Sequence, residues 1–260
     1  ALGCALIALE QNPAGPSRFK GFDLAQRKYT LDSFECADCP NACEIRKVSI
    51  EGEPTLHYGS RCGKFDEEQR ESLGKDLPRL FSEREKILLE HYEPSRPLPE
   101  HAPTMGFPRA TVFYEMFPFW NAFFAELGFR LVPSPPTNRR IITTGCETAL
   151  EETCFPIKVA HGHILELLAR KVDYLFLPCV VNLDHVSSDA ETSYNCLYVQ
   201  SLPYVARAAI DFSKYPSKVL MPVFHFEWGK KVFVPEMEAL ARELGCSGKQ
   251  VLRAITAAWD

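Results

Sequence analysis

From Arg109 to the end of the chain, apolar side chains fall into two alternating patterns: short unbroken runs, and longer stretches at helical spacing. Arg109-Ala110-Thr111-Val112-Phe113-Tyr114 reads as a first β-prone run. A helix is expected over Pro118–Leu127, with Pro118 in the first turn, where a missing N–H costs nothing, and Gly128 at the C-terminal end, where a left-handed residue is wanted. Phe129-Arg130-Leu131-Val132 reads as the next strand, and residues 156–171 as the next helix. Val172-Asp173-Tyr174-Leu175-Phe176-Leu177-Pro178 is almost continuously apolar, as a strand covered on both faces must be. A helix over 202–212, a strand over 218–224 and helices over 234–244 and 249–258 complete the series. Alternation of this kind predicts an α/β layered fold with a largely parallel sheet, placed at residues 105–260.

The first hundred residues are patterned differently. Residues 1–10 read as the last turns of a helix cut from something longer, and Asn12-Pro13-Ala14-Gly15-Pro16-Ser17 breaks them off with turn formers. Residues 1–30 are therefore assigned to the end of a preceding domain and a linker. Residues 31–66 hold four cysteines and too few apolar side chains for a core, which marks a small cysteine-rich metal module. Residues 67–104 are expected to be a linker, charged and helix-like as far as about Glu90, then stiffened by Pro94, Pro97, Pro99 and Pro103.

Composition narrows the function classes. A hydrophobic share of 46% and a charged share of 24% suit a soluble globular protein. A net charge of -5 offers no broad positive field, so neither nucleic acid nor an anionic membrane surface is an expected partner. No apolar run is long enough to span a bilayer. Ten cysteines bunched locally in a long chain without a signal peptide favour metal ligation in a reducing cytoplasm over disulfides.

Cys36, Cys39, Cys43 and the more distant Cys62 form a C-x2-C-x3-C pattern with a fourth thiol, and Pro40 and Gly63 supply turns beside them. Four thiolates so placed can converge on one metal centre, and spacing alone leaves zinc and an iron-sulfur cluster equally open.

Three more cysteines stand where loops join strands and helices. Cys154 immediately precedes a helix, whose positive end would stabilise a thiolate; Cys179 follows an apolar strand; Cys196 shortly precedes another helix. In a parallel sheet the loops leaving the strand C-termini share one edge, so the three thiols can converge. Three thiolates suit a cluster with one iron left open, for which Cys146 is a further candidate ligand. Cys4 and Cys246 read as structural. His161 and His163, two apart on one helix, make a poor bidentate pair, with proton donation as the functional alternative. Lys158, one turn past Cys154, could neutralise cluster charge. Tyr114, Glu115, Phe117 and Trp120 could line the same edge. No phosphate-binding or dinucleotide-binding glycine motif and no nucleophile elbow is present.

Taken together, Met105-Gly106-Phe107-Pro108-Arg109, Phe117-Pro118-Phe119-Trp120, the block Glu152–His163 and Tyr194-Asn195-Cys196 resemble the uncharacterised domain of CoA-substrate-specific enzyme activases, related to 2-hydroxyacyl-CoA dehydratases. The likeness covers residues 105–212, and the helix over 1–10 is similar to the end of the activase ATPase domain. The resemblance implies a flavodoxin-like or Rossmann-like domain holding a 4Fe-4S cluster through Cys154, Cys179 and Cys196. It also implies an ATPase domain in the same polypeptide and a dehydratase-like electron acceptor. Leu197 stands where the family often has Pro. The function expected is ATP-coupled, low-potential electron transfer or reductive activation. The alternatives are a zinc-stabilised interaction module, and a dehydratase-like enzyme acting on an acyl-CoA at an open cluster iron.

Overall fold

A computed structural model describes residues 2–11, 22, 26–39, 41–65, 78, 80–184 and 192–259. The turn expected at 12–17, and residues 66–77 and 79 of the helix-like stretch expected from Asp66 to about Glu90, lie outside the described residues. The chain divides into two units, one comprising residues 1–38 and 43–74, the other 75–260 with the short stretch 39–42.

In the first unit, α1 (Leu2–Gln11) is followed by a three-stranded antiparallel sheet, β1 (Tyr29–Glu35), β2 (Glu44–Ile50) and β3 (Leu56–Tyr58), in that order across the sheet. The strands pair in strict register, Glu35 opposite Glu44 and Tyr29 opposite Ile50. Every β1 residue is exposed, and Ile45 is the one fully buried hydrophobic among the described residues of this unit. A sheet with so little burial draws almost no stability from the hydrophobic effect.

The second unit is a layered α/β structure. Four parallel strands, β4 (Thr104–Phe107), β5 (Arg130–Pro133), β6 (Tyr174–Phe176) and β8 (Lys218–Leu220), lie in the order β5-β4-β6-β8. A second, two-stranded parallel sheet pairs β7 (Cys179–Asn182) with β9 (Val223–His225). The helices are α2 (Leu80–Leu88), α3 (Phe113–Leu127), α4 (Arg139–Thr148), α5 (Phe155–Ala169), α6 (Leu197–Ala209), α7 (Lys230–Glu243) and α8 (Gly248–Trp259). Counting α1, eight α-helices lie among the described residues, and none of them is long and apolar enough to cross a membrane.

The chain passes from β4 outward to β5, then back across the sheet to β6 on β4's other side. In sheets of this type a reversal of this kind marks the ligand-binding crevice, which would lie at the C-terminal ends of β4 and β6. The core has two parts. On one side α3 places Phe113, Phe117, Trp120, Phe123 and Phe124 at helical spacing against Phe176, Phe224 and the inner faces of α7 and α8. On the other, Ile164, Leu167 and Leu168 of α5 pack with Val172, Leu175 and Ala206.

Several expected boundaries shift. The run Arg109–Tyr114 is not a strand: β4 ends at Phe107, and Phe113 and Tyr114 already open α3. Pro118 consequently lies inside α3, not in its first turn. The strand expected over 172–178 is two strands in different sheets, β6 and β7, separated by Leu177 and Pro178. Likewise Met221-Pro222 divides the run 218–224 into β8 and β9, since Pro cannot donate to a continuous ladder.

Candidate functional site

Cys154 and Cys196 are helix N-caps. Each has an extended backbone, each offers its carbonyl to the first turn, and neither thiol is used in a capping hydrogen bond. Both side chains are exposed, at the positive end of a helix of more than ten residues, where a thiolate is stabilised. Ile157, in the first turn of α5, shares a buried cluster with Leu202 of α6 and Ala110 of the loop after β4. Further along, Ile164 of α5 shares one with Ala206 and Ile210. The two helices therefore run side by side in the same direction, with Cys154 and Cys196 at the same end.

Cys179 opens β7 directly beyond the C-terminus of β6, beside the crevice. Its N–H donates to the Pro222 carbonyl at 2.8 Å, and its side chain is only 7% exposed. Burial pushes the Cys179 thiol pKa up, which favours the protonated thiol. The Cys196 segment is knitted onto the same strand: Asn195 N donates to Val181 O, and Asn195 Nδ2 to Val180 O, both at 2.9 Å. Cys154 and Cys196 thus cap the same end of two neighbouring helices, on the side where the Cys196 segment joins the strand that Cys179 opens. Their side chains are not gathered there, for among the described residues no three His, Cys, Asp or Glu side chains are grouped so as to hold a metal ion.

Cys146, on α4, is exposed and lies near Lys158. The Lys158 ammonium is held above its ordinary pKa chiefly by its 2.6 Å hydrogen bond to Glu152, against partial desolvation and with the Glu152 charge adding to the shift. Of the residues expected to line the edge, Phe117 and Trp120 are buried in the aromatic core, whereas the Tyr114 carbonyl and the Glu115 carboxylate both meet Arg84 of α2.

Both α5 histidines are fully buried, with different partners. His163 Nδ1 lies 2.8 Å from Ser134 Oγ, and His163 Nε2 lies 3.0 Å from Thr137 Oγ1. Ser134 Oγ also accepts from Arg109 N at 2.8 Å, so both ring nitrogens of His163 are partnered by hydroxyls that can donate or accept. Burial, reinforced by the nearby Arg109 guanidinium and opposed by Glu166, lowers the His163 pKa to about 4. The ring is a neutral structural strut. His161 donates from Nδ1 to the Ile157 carbonyl at 2.8 Å, and its buried Nε2 has no hydrogen-bond partner. Thr153 Oγ1, next to Cys154, and Asn182 Nδ2, at the end of β7, are also buried and unpartnered. Thr111, in the loop after β4, holds φ +51°, a conformation that a β-branched residue adopts only under strain.

Sequence reasoning missed a further polar cluster at the C-terminal ends of β7 and β9. Glu236 of α7 accepts from both the backbone N and Nδ1 of His225, at 2.9 and 2.6 Å, and the imidazole stacks on Trp228 with ring centroids 3.9 Å apart. His225 is the register partner of Asn182, beyond a bulge at Val181, and Asn182 Oδ1 accepts from Glu227 N. A His and a Glu eleven residues apart, one on a strand and the other on a helix, follow no spacing rule that sequence could reveal.

In the first unit, Cys36 and Cys43 face each other at the mouth of the β1–β2 turn, where Cys36 N donates to Cys43 O at 2.9 Å. Asp38 accepts from the Cys36 thiol and pairs with Lys64, and the Cys62 thiol lies near Ser60 Oγ. Cys39 belongs to the stretch 39–42 that groups with the second unit, and its carbonyl accepts from Ala42 N.

Comparison with curated proteins and with solved structures returned no match. Residues 104–260, more than half of the chain, match the family described as CoA enzyme activase uncharacterised domain (DUF2229). Those residues span both parallel sheets and every cysteine at the crevice edge; this chain belongs to the CoA enzyme activase uncharacterised domain family.

Proposed function

We propose that the chain is an iron-sulfur protein of an activase system, in which a 4Fe-4S cluster bound through Cys154, Cys179 and Cys196 serves low-potential electron transfer or reductive activation. The observation that carries this reading is the placement of two uncapped thiols at the N-termini of neighbouring helices, with Cys179 opening the strand beyond the crevice. The donor set fits the group: two thiols sit in the positive field of helix ends, and the third is a buried soft ligand. Binding requires the exposed Cys154 and Cys196 side chains to turn in toward Cys179. Once bound, the cluster would supply one-electron chemistry, and α5 and α6 would hold Cys154 and Cys196 in place for it. Membership of the activase family supports a partner of the 2-hydroxyacyl-CoA dehydratase type as electron acceptor, and an ATP-hydrolysing domain as the source of driving force.

Cys36, Cys39, Cys43 and Cys62 form a second metal module, since the sheet carrying them buries too little to be stable unaided. An iron-sulfur cluster there would relay electrons; zinc is the structural alternative.

Anaerobic purification tests both assignments. Brown protein containing iron and acid-labile sulfide, with a paramagnetic signal after reduction, is the expected result. Colourless protein that stays free of iron and sulfide after anaerobic reconstitution overturns the redox reading, and one zinc per chain without iron leaves only an interaction module.

A further inference from the structure

Arg109 is the one arginine buried among the described residues, with 6% of its side chain exposed. It stands two residues past the C-terminal end of β4, the strand at which the sheet order reverses and where parallel sheets of this kind take their ligands. The loop is pinned there: Arg109 N donates to Ser134 Oγ, and Ala110 packs with Ile157, Ala160 and Leu202. The guanidinium carbon lies over the Phe113 ring, 5.9 Å from its centroid, at the N-terminus of α3, a helix of 15 residues with no side-chain cap. A buried cation at the positive end of an uncapped helix calls for an anion.

That anion comes from outside the sheet. Glu85 of α2 accepts from Arg109 Nη2, and it is the one ion partner of Arg109 among the described residues. Nε and Nη1 of Arg109 have no hydrogen-bond partner among those residues, so the planar fork is incompletely used. The pair is also held from one side only: the Glu85 side chain is 48% exposed, and α2 buries none of its residues. α2 is attached by Leu88, which packs on the aromatic core, and by Arg84, which donates to Tyr114 O at 3.0 Å and pairs with Glu115 at 3.3 Å. Those contacts stay in place when the Glu85 side chain alone swings into solvent. A cavity of about 230 Å³ adjoins the pair, walled by Glu85, Arg84, Leu88, Phe81, Ser82 and Tyr114, and leaves room for the body of a small ligand.

We propose that Arg109 is a recognition site for a carboxylate-bearing small molecule, and that the Glu85 carboxylate occupies it here as an internal competitor. The occupant is itself a carboxylate, which assigns the class. Both oxygens of a free carboxylate can engage two nitrogens of the fork, one more than Glu85 does. The exchange swaps one ion pair for another, with no proton, electron or covalent bond transferred. It is independent of the iron-sulfur reading, since no cysteine takes part. An internal competitor lowers the apparent affinity by the fraction of time the site is free, so removing it tightens binding without any new contact.

The test titrates the full chain, labelled with 15N-arginine, with succinate and in parallel with inorganic phosphate, at constant ionic strength. Calorimetry gives the affinity, and the Nε–H resonance of Arg109 reports whether the guanidinium is touched. Glu85→Gln should bind succinate at least about tenfold more tightly than the wild type does, and more tightly than it binds phosphate. Glu83→Gln removes the same charge from the same helix, but only from an exposed pair with Lys86, and should bind as the wild type does. Adding Arg109→Lys to Glu85→Gln keeps the cation, loses the fork, and should reverse the gain. Should Glu85→Gln fail to fold, the wild type supplies the second measurement: its Arg109 Nε–H resonance should shift as succinate rises. Succinate affinity unchanged by Glu85→Gln, a gain that survives Arg109→Lys, or an Arg109 resonance indifferent to succinate overturns the proposal and makes the pair structural. Tighter binding of phosphate overturns the carboxylate assignment.

Discussion

Gly145 of α4 lies against the carbonyl oxygen of Lys158 in α5 so closely that a methyl group on its Cα would overlap that oxygen. Gly162 of α5 meets the Ile141 carbonyl in the same way from the opposite helix. The two glycines let α4 and α5 approach backbone to backbone, which sets where Cys146 and Cys154 stand. Gly145→Ala and Gly162→Ala should each destabilise the domain by about 1–3 kcal/mol or more, because the obstacle is backbone and has no rotamer to change. Thermal unfolding measures this, and Gly128→Ala gives a contrast: its Cβ would meet nothing within 4 Å, leaving the positive φ of 93° as the one penalty.

The His163 network makes stability depend on pH in a defined window. The folded pKa, about 4, lies below the ordinary histidine value of 6.5, because burial penalises the cation and Arg109 adds to that penalty. The unfolded chain therefore takes up the proton first. The stabilisation is fully present above pH 6.5 and is lost as the pH falls from 6.5 toward 4, by up to about 3 kcal/mol in total. Urea unfolding at pH 7.5 and pH 4.5 should show the decrease, and His163→Gln should flatten it. An equal slope in the variant would assign the acid sensitivity to other groups.

Chelation should act on the first unit. If Cys36, Cys39, Cys43 and Cys62 hold a metal as proposed, removing it is expected to unfold the antiparallel sheet, since Ile45 alone is no core. Amide hydrogen exchange should rise in β1 and β2 on chelation while β4 and β6 stay protected. Unchanged protection of β1 would mean that the sheet folds without metal.

The alternation of strand and helix, and with it the parallel sheet, was legible because long apolar runs such as Val172–Leu177 must be covered on both faces. Boundaries failed where one signal masked another. Val112, Phe113 and Tyr114 have high β-propensity, yet Phe113, Met116, Phe117 and Trp120 at helical spacing already encode the first turns of α3. α4 escaped notice because its Thr-rich, weakly helix-forming sequence is ordered by the Asn138 cap, which accepts from Ile141 N at 3.1 Å, and by packing on α5 through glycine. The antiparallel sheet of the first unit was also missed, since its exposed strands show no alternation of burial. Cys154, Cys179 and Cys196 were singled out by their places beside helices and strands, and those places hold in the fold. The unpartnered nitrogen of His161 and the Glu236-oriented ring of His225 depend on contacts that only the folded chain makes.

The central claim is that Cys154, Cys179 and Cys196 share one cluster, and iron and sulfide counts on single variants test it most directly. After anaerobic reconstitution, Cys154→Ser, Cys179→Ser and Cys196→Ser should each lose the same share of iron and sulfide, one cluster's worth. Cys4→Ser and Cys246→Ser should retain the full wild-type content. Full retention in any of the first three variants would contradict the account.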